Sequence, residues 1–399
     1  DKSLVMAEEQ NGAVRHRLLE TVRGYAAEKL DAAGEVANLR DRHLSWCLTL
    51  AQMAEKEVRG PRESEWLARL EAEHDNLRTA LAWSLAGVPG RSPETALRLA
   101  GALLRFWELR GHMSEGRQWL AQALETGQGA PAQARATALH SAGVLAYMQG
   151  DYRVSRALHE QSLALSQEIG NRQGIAEVQC SLGYLAIRRS EHTAARAFLD
   201  ASLAVFSELD HRPGIAGARD VLGVLALRQG DYDAARAHFE TALALHREVG
   251  NKDGIASTLE DLASVAANQD DGGRQAALLE ESLALYQEIG NRQGIALVLG
   301  SLGVMAWSRG DRDRARTLTH ESLVLYREVG DRRGVARMLA QQALVALYER
   351  EYVRAVVLGR EGIALYHELG DTWAIGRYLP VLAGAAFAQG QPTRAARLF

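Results

Sequence analysis

Glycine recurs in this chain at a fixed interval. Gly170, Gly250, Gly290, Gly330 and Gly370 share one register whose step is 40 residues or a multiple of it, and Asp210 fills the one empty place. A second series, Gly174, Gly214, Gly254, Gly294 and Gly334, runs four residues later at the same period. Such self-similarity marks units that cannot bury their apolar face alone and must stack on a neighbour. Length alone would allow about two or three domains, but the repeat predicts one continuous stack over most of the 399 residues.

Within a copy, two helical stretches are separated by turn signals such as Gly230-Asp231-Tyr232 and Gly250-Asn251-Lys252. Glycine supplies the left-handed backbone that ends a helix, and the Asp or Asn after it can accept backbone N–H groups and cap the next one. In one copy, helix A is predicted over 215–228 and helix B over 232–249. Leu222, Leu225, Phe239, Leu243 and Leu245 give it helical and not strand periodicity.

A small residue recurs in helix A at Gly143, Gly183, Gly223, Ala263, Gly303, Ala343 and Ala383, where a larger side chain would force the two helices apart. Twelve residues on stand Ala195, Ala235, Ala315 and Ala355, with Leu199, Phe239 and Leu279 four further. This pattern resembles the tetratricopeptide repeat. The resemblance implies an all-α fold, a right-handed superhelix of helical hairpins with a concave groove. The chain departs from that family in its longer period, in Ala186, Ala226 and Ala306 where the family has tyrosine, and in lacking the terminal proline. HEAT and armadillo units, of about 40 to 47 residues, have a comparable length but not the small-residue pattern.

About eight hairpins are predicted: one over 93–126, one over 131–169, five full copies to 369, and one from 372 that is cut short, leaving Phe387, Leu398 and Phe399 without a covering neighbour. The chain starts at Asp1 without Met and stops at Phe399 inside a predicted helix, so it is expected to be a C-terminal piece of a longer protein.

The first ninety residues differ. Residues 3–7 and 14–19 alternate in polarity around Gln10-Asn11-Gly12, which predicts a β-hairpin. Helices are predicted over 21–33, 36–58 and 62–85. The domain division is therefore 1–20, a hairpin left from another domain; 21–90, a helical arm; and 91–399, the repeats. The strings Arg17-Leu18-Leu19-Glu20-Thr21-Val22-Arg23-Gly24-Tyr25-Ala26 and Trp66-Leu67-Ala68-Arg69-Leu70-Glu71-Ala72-Glu73-His74-Asp75-Asn76-Leu77-Arg78, with Gly111-His112-Met113-Ser114-Glu115-Gly116-Arg117, resemble bacterial signal-transduction ATPases with numerous domains, the large LuxR-type regulators. The resemblance implies that the hairpin ends a winged-helix domain and that the arm leads to a tetratricopeptide sensor. It also implies an upstream domain that exchanges ADP for ATP, with Mg, when the sensor binds its inducer. No Gly-Xaa4-Gly-Lys-Ser/Thr string occurs here, so this stretch is expected to bind no nucleotide through a phosphate loop, to hold no cofactor and to be no enzyme.

A net charge of -4 argues against a general nucleic-acid or membrane-surface binder. Cys47 and Cys180, the only cysteines, have no paired spacing, which fits a reducing cytoplasm and gives no zinc site. His43 and Cys47 are four apart on a helix, but with no third ligand in view they read as a packed pair. Trp66, Trp83, Trp107 and Trp119 read as fastening arm to repeats. His159, His238 and His320 read as scattered surface or interface residues, and Tyr286, Tyr326 and Tyr366 as repeat packing or convex surface.

Helix A lines the concave wall of such a superhelix, so positions where the copies diverge along it are the candidates for ligand contact. Three before the small residue stand Cys180, Asp220 and Glu260, and one after it Tyr184. Four and five after it stand Tyr147 and Trp307, then Arg188 and Arg228. Tyr184, Arg188, Asp220, Arg228, Glu260, Asp261, Trp307 and Arg337 are the predicted ligand-binding set. Such a wall could grip a polar or cationic ligand; the plainer reading is a solvated groove of compensating charges. Asp220 and Glu260 are not read as a catalytic acid pair, since nothing buried or basic is evidently placed to shift their pKa. Two functions follow. One is a sensor whose groove binds an unknown inducer, small molecule, peptide or protein, and controls the upstream ATPase. The other is a constitutive scaffold for a peptide or partner protein.

Overall fold

The computed structural model describes residues 5–10, 13–86 and 93–396. Asn11 and Gly12, the predicted boundary at 90, and Leu398 and Phe399 lie outside these. β1 (Val5–Gln10) runs antiparallel to β2 (Ala13–Leu18), with Val5 opposite Leu18. The rest is helical. The arm holds α1 (Glu20–Ala32), α2 (Val36–Glu57), α3 (Glu63–Ala72) and α4 (His74–Leu85). The helix predicted over 62–85 is thus two, broken at Glu73. That break lets Trp66, Leu67 and Leu70 on one side and Leu77, Ala80 and Leu81 on the other enter the same core.

The first hairpin is also broken: α5 (Glu94–Ala102), α6 (Leu104–Arg110) and α7 (Met113–Thr126). Regular pairs follow: α8 (Ala132–Met148) with α9 (Tyr152–Glu168), α10 (Arg172–Arg188) with α11 (His192–Glu208), and α12 (Arg212–Gln229) with α13 (Tyr232–Val249). Then come α14 (Lys252–Asn268) with α15 (Gly272–Ile289), α16 (Arg292–Ser308) with α17 (Arg312–Val329), α18 (Arg332–Tyr348) with α19 (Tyr352–Leu369), and α20 (Thr372–Ala388) with α21 (Pro392–Ala396).

The turn chemistry explains both glycine series. The first has positive φ, as does Asp210 at 48°, because each residue ends a helix B in the left-handed region. The second stands at the third position of helix A. There its N–H is accepted by the capping side chain of Asn171, His211, Asn251, Asn291 or Asp331. Glycine is required there for space, since a Cβ on Gly294 or Gly334 would lie 2.4 or 2.2 Å from the ring of Tyr286 or Tyr326.

Inside a pair, the small residue of helix A meets the bulky residue of helix B. A Cβ on Gly223 would sit 2.5 Å from the fully buried Phe239 ring, and burial of a ring or leucine of that kind contributes about 1.5–3 kcal/mol. His159 takes this place against Gly143 and is 1% exposed, so it is a core residue and not a surface one. A buried serine adds a repeated bond. Ser162, Ser202, Ser282 and Ser322 each donate from Oγ to the carbonyl of Ala136, Ala176, Ala256 or Ala296 in the paired helix, at 2.6–2.8 Å.

Each helix A touches the helix A of the next pair, so these helices form the inner wall. The superhelix then closes on itself, because the arm and first hairpins pack against turns of later pairs. Val329, at the end of α17, joins the core of Trp66, Phe106 and Trp107, and lies 3.0 Å from where a Cβ of Gly111 would be. Leu369 covers Gly150 in the same way. Among the described residues, no helix is long and apolar enough to cross a membrane.

Candidate functional site

Closure turns the concave wall into a cavity of about 840 Å³, lined from α6 through every helix A to α20. Tyr184, Arg188, Arg228, Glu260, Asp261 and Arg337 line it, as do Tyr147 and Cys180. The positions one and five after the small residue therefore do face the hollow, as helical spacing places them.

Two of the eight chosen residues stand elsewhere. Asp220 Oδ2 accepts from His246 Nε2 at 2.8 Å and its Oδ1 from Thr258 Oγ1 at 2.9 Å, which binds α12 to α13 and α14. Burial raises its carboxyl above the usual range, while His246 and Thr258 offset part of that. A buried basic partner is therefore present, contrary to the sequence expectation, but the carboxylate is occupied by packing bonds. Trp307 lies toward the end of α16 against Tyr348, ring centroids 5.9 Å apart, with Arg312 over its face.

Arg188 is 7% exposed. It donates from Nε to Tyr147 Oη at 2.9 Å and from Nη2 to Tyr184 Oη at 3.1 Å. Arg337 donates to Tyr326 Oη at 2.7 Å. Glu260 accepts from Ser301 Oγ at 2.8 Å, and burial raises its carboxyl while Arg337 and Ser301 hold it back. The Asp261 carboxyl is raised well above the usual range by burial, then by Glu260 and Asp220. The Cys180 thiol is pushed up to about 12 by burial and Asp220, so it is no ready nucleophile.

The sequence reading missed Arg333, Tyr326, Tyr366, Glu108 and Asp253, all on the cavity wall. Tyr286, Tyr326 and Tyr366 are 2–3% exposed and reach this cavity, so they pack between pairs and do not form a convex surface. Arg333 carried a signal: its register reads Gln173, Pro213, Asp253, Gln293, Arg333, a divergent series at the second position of helix A.

Among the described residues, Glu71, His74 and His112 bring possible metal-ligating atoms within 4.8 Å of one another. His74 also lies 3.2 Å from Glu115, which Arg78 grips at 2.6 Å, and Arg110 lies 3.9 Å from Glu71. The cluster joins the arm to the first hairpin. His43 and Cys47 are 3.7 Å apart; Cys47 is fully buried and its thiol is pushed up to about 12 by burial.

Tetratricopeptide-repeat family models match residues 135–169, 174–248 and 215–288. A Mycobacterium tuberculosis protein, assigned by name only as an HTH-type transcriptional regulator, is 43% identical over 125 residues. That stretch is 31% of this chain and 14% of the relative, so the chain spans a small part of that protein's length. Among solved structures, the Rap protein complexed with Competence and Sporulation Factor overlaps at a TM-score of 0.56 and 10% identity, covering 90% of this chain and 98% of Rap. NprR in complex with its cognate peptide NprX overlaps at 0.53 and 15% identity, covering 73% and 84%. At these identities the likeness is one of fold.

Proposed function

We propose that this stack of tetratricopeptide repeats is the sensor part of a larger regulator, and that its enclosed groove binds an inducer whose presence is passed to the arm. The observation that carries this is the cavity of about 840 Å³, whose wall sets positions where the copies differ, such as Cys180 against Glu260 and Asp253 against Arg333, among repeated packing residues such as Tyr286, Tyr326 and Tyr366. A structural filler would repeat along with the packing residues; a receptor wall must vary to fit an asymmetric guest. Rap and NprR, which share the fold, are seen with a factor and a peptide in place. A peptide or a small polar molecule is therefore the guest class.

A route to the arm exists. Asp253 lines the cavity, its N–H donates to Glu63 Oε2 at 3.2 Å in α3, and its carboxylate meets Arg105. A guest that moves Asp253 moves the arm, and it drives a switch only by its differential affinity for the two states. By resemblance of the arm strings, the switch is an upstream ATPase holding ATP or ADP with Mg; this stretch itself binds no nucleotide and performs no reaction.

The test is a thermal-shift screen of short peptides and metabolites against the chain, followed by calorimetry. A true guest binds at least about tenfold more weakly to Arg337→Gln, the loss expected for one charged hydrogen bond, and measurably more weakly to Asp261→Ala, which removes the carboxyl's hydrogen-bonding groups. Guests indifferent to both changes would remove the groove as the receptor. A phosphate loop encoded upstream of Asp1 is expected; a reading frame without one would leave a scaffold.

A further inference from the structure

Glu71, His74 and His112 meet where the arm joins the first hairpin, each on a helix end that local turn chemistry fixes. Glu71 lies in the last turn of α3, His74 opens α4 past the break at Glu73, and His112 precedes α7, next to Gly111 with its positive φ. One ligand atom from each lies within 4.8 Å of the other two. We propose that these three side chains bind a zinc ion, which pins the arm to the repeats. They do not line the groove, so the site stands apart from the reading of that groove as a receptor.

The distances suit a metal better than hydrogen bonds alone. Zinc holds nitrogen and oxygen at about 2.0–2.2 Å in a tetrahedron, so its ligand atoms stand about 3.4 Å apart. His112 Nε2 lies 3.4 Å from both Glu71 Oε1 and Oε2, whereas a charge-assisted hydrogen bond would draw them to about 2.7–2.9 Å. His74 is 8% exposed, and its Nε2 is buried and makes no hydrogen bond. A buried nitrogen of that kind is rare, and a bound ion is one of the few things that satisfies it. Glu115 Oε1 is 3.2 Å from this nitrogen without bonding it, which sets a second carboxylate beside the three residues. The two imidazole rings have centroids 4.3 Å apart, and the ring of Phe106 stands edge-on to His74 at 5.0 Å. Burial holds His74 below its usual range, with His112 adding to this and Glu115 opposing it. The imidazole is thus in its neutral form, the one that binds metal. Arg78 at 2.6 Å from Glu115 and Arg110 at 3.9 Å from Glu71 meet the two carboxylates. That leaves little for magnesium or calcium, which need a shell of oxygens, while two imidazoles suit zinc.

The experiment frees the chain of metal with EDTA and titrates it with zinc chloride in competition with a chromophoric chelator, following Tm in parallel. One equivalent should bind and raise Tm. Glu71 is exposed and His112 half-buried, so Glu71→Gln and His112→Gln should fold. Each should weaken zinc at least about tenfold, since losing even a partner of a ligand costs that much. His320→Gln, at an exposed histidine, leaves binding unchanged. Should either variant not fold, the unaltered protein decides: zinc should protect His112 from diethyl pyrocarbonate while His320 stays reactive, read by peptide mapping. Three results would each overturn the site and leave an ordinary ion-paired joint: no zinc binding, equal binding in both variants, or a rise in Tm with magnesium chloride as large as with zinc.

Discussion

Arg105 donates from Nη2 to Asp253 Oδ2 at 2.8 Å, joining the first hairpin to the start of α14, 148 residues further on. The fully buried Glu63 and the partly buried Glu108 complete the cluster, and Arg105 also bonds Glu108. The bond is one of the contacts that close the superhelix, with Val329 against Gly111 and Leu369 against Gly150. Arg105→Leu leaves Asp253 and Glu63 without this guanidinium; breaking a fully buried pair from one side costs about 3–5 kcal/mol, and this partly exposed one, with Lys252 still acting on Glu63, should cost less. Urea denaturation should show that loss in the midpoint. A second, earlier transition is also expected as the arm separates from the later repeats.

Glu63 makes this joint sensitive to pH. It is fully buried, and its carboxyl is pushed up to about 7, first by burial and then by Asp253. A carboxyl raised in the folded state adds stability that is complete below its unfolded value of 4.5 and is lost as pH rises through about 7. The loss amounts to about 3 kcal/mol across that window. Glu63→Gln should remove this part of the slope, so the difference in unfolding free energy between the two proteins should grow from pH 5 to about pH 8. A constant difference would mean that Glu63 ionises normally.

Local chemistry made the helices legible, and the path of the chain in space kept other features hidden. Gly250, Asn251 and their equivalents named the turns because a positive φ and a cap leave few residue choices. The small residues named the hairpin contact for the same steric reason. The cavity wall was partly legible, since helical spacing alone brings Tyr184, Arg188 and Glu260 to one face. Arg333 was overlooked although its register diverges; that it lines the same cavity as Arg188 was out of reach, because the superhelical path is the sum of many small rotations. Asp220 was misplaced in the groove although a cue existed: His246 occupies the register that Phe206, Tyr286 and Tyr326 fill with aromatic rings, and the acid answers it.

That pairing gives the next prediction. Asp220→Ala leaves His246 Nε2 without its acceptor in a place with little water, while the Thr258 hydroxyl keeps the Gly254 carbonyl. The cost should be about 1–3 kcal/mol, as for a buried donor left unsatisfied. Equilibrium unfolding should show it, and guest binding should weaken only in proportion to lost fold. A large drop in affinity with unchanged stability would return Asp220 to the groove.

The hairpin contact is tested by volume. Gly223→Val places methyl groups where even a Cβ would be 2.5 Å from Phe239, and that ring is fully buried with nowhere to retreat. Overpacking of this kind costs about 1–3 kcal/mol or more. Leu243→Ala, which opens a cavity beside the same ring, should cost about 2–5 kcal/mol. Combining the two changes should cost less than their sum, because the hole offers the displaced ring room; chemical denaturation of the three variants gives the coupling directly.

The turns between helices A and B offer a gain. Arg350 has φ of 63° and Ser190 of 60°, where Gly150, Gly230, Gly310 and Gly390 stand in the same register. A side chain in the left-handed region costs about 1–2 kcal/mol, and glycine escapes it at the expense of extra freedom in the unfolded chain. Arg350 is exposed, so nothing packed is lost with its side chain. Strain relief should exceed the entropic loss by a few tenths to about 1 kcal/mol, and Arg350→Gly should therefore raise Tm. Arg350→Ala is the control, since it removes the same charge and stem but keeps the Cβ. If alanine raises Tm as much as glycine does, the backbone conformation is not the cause.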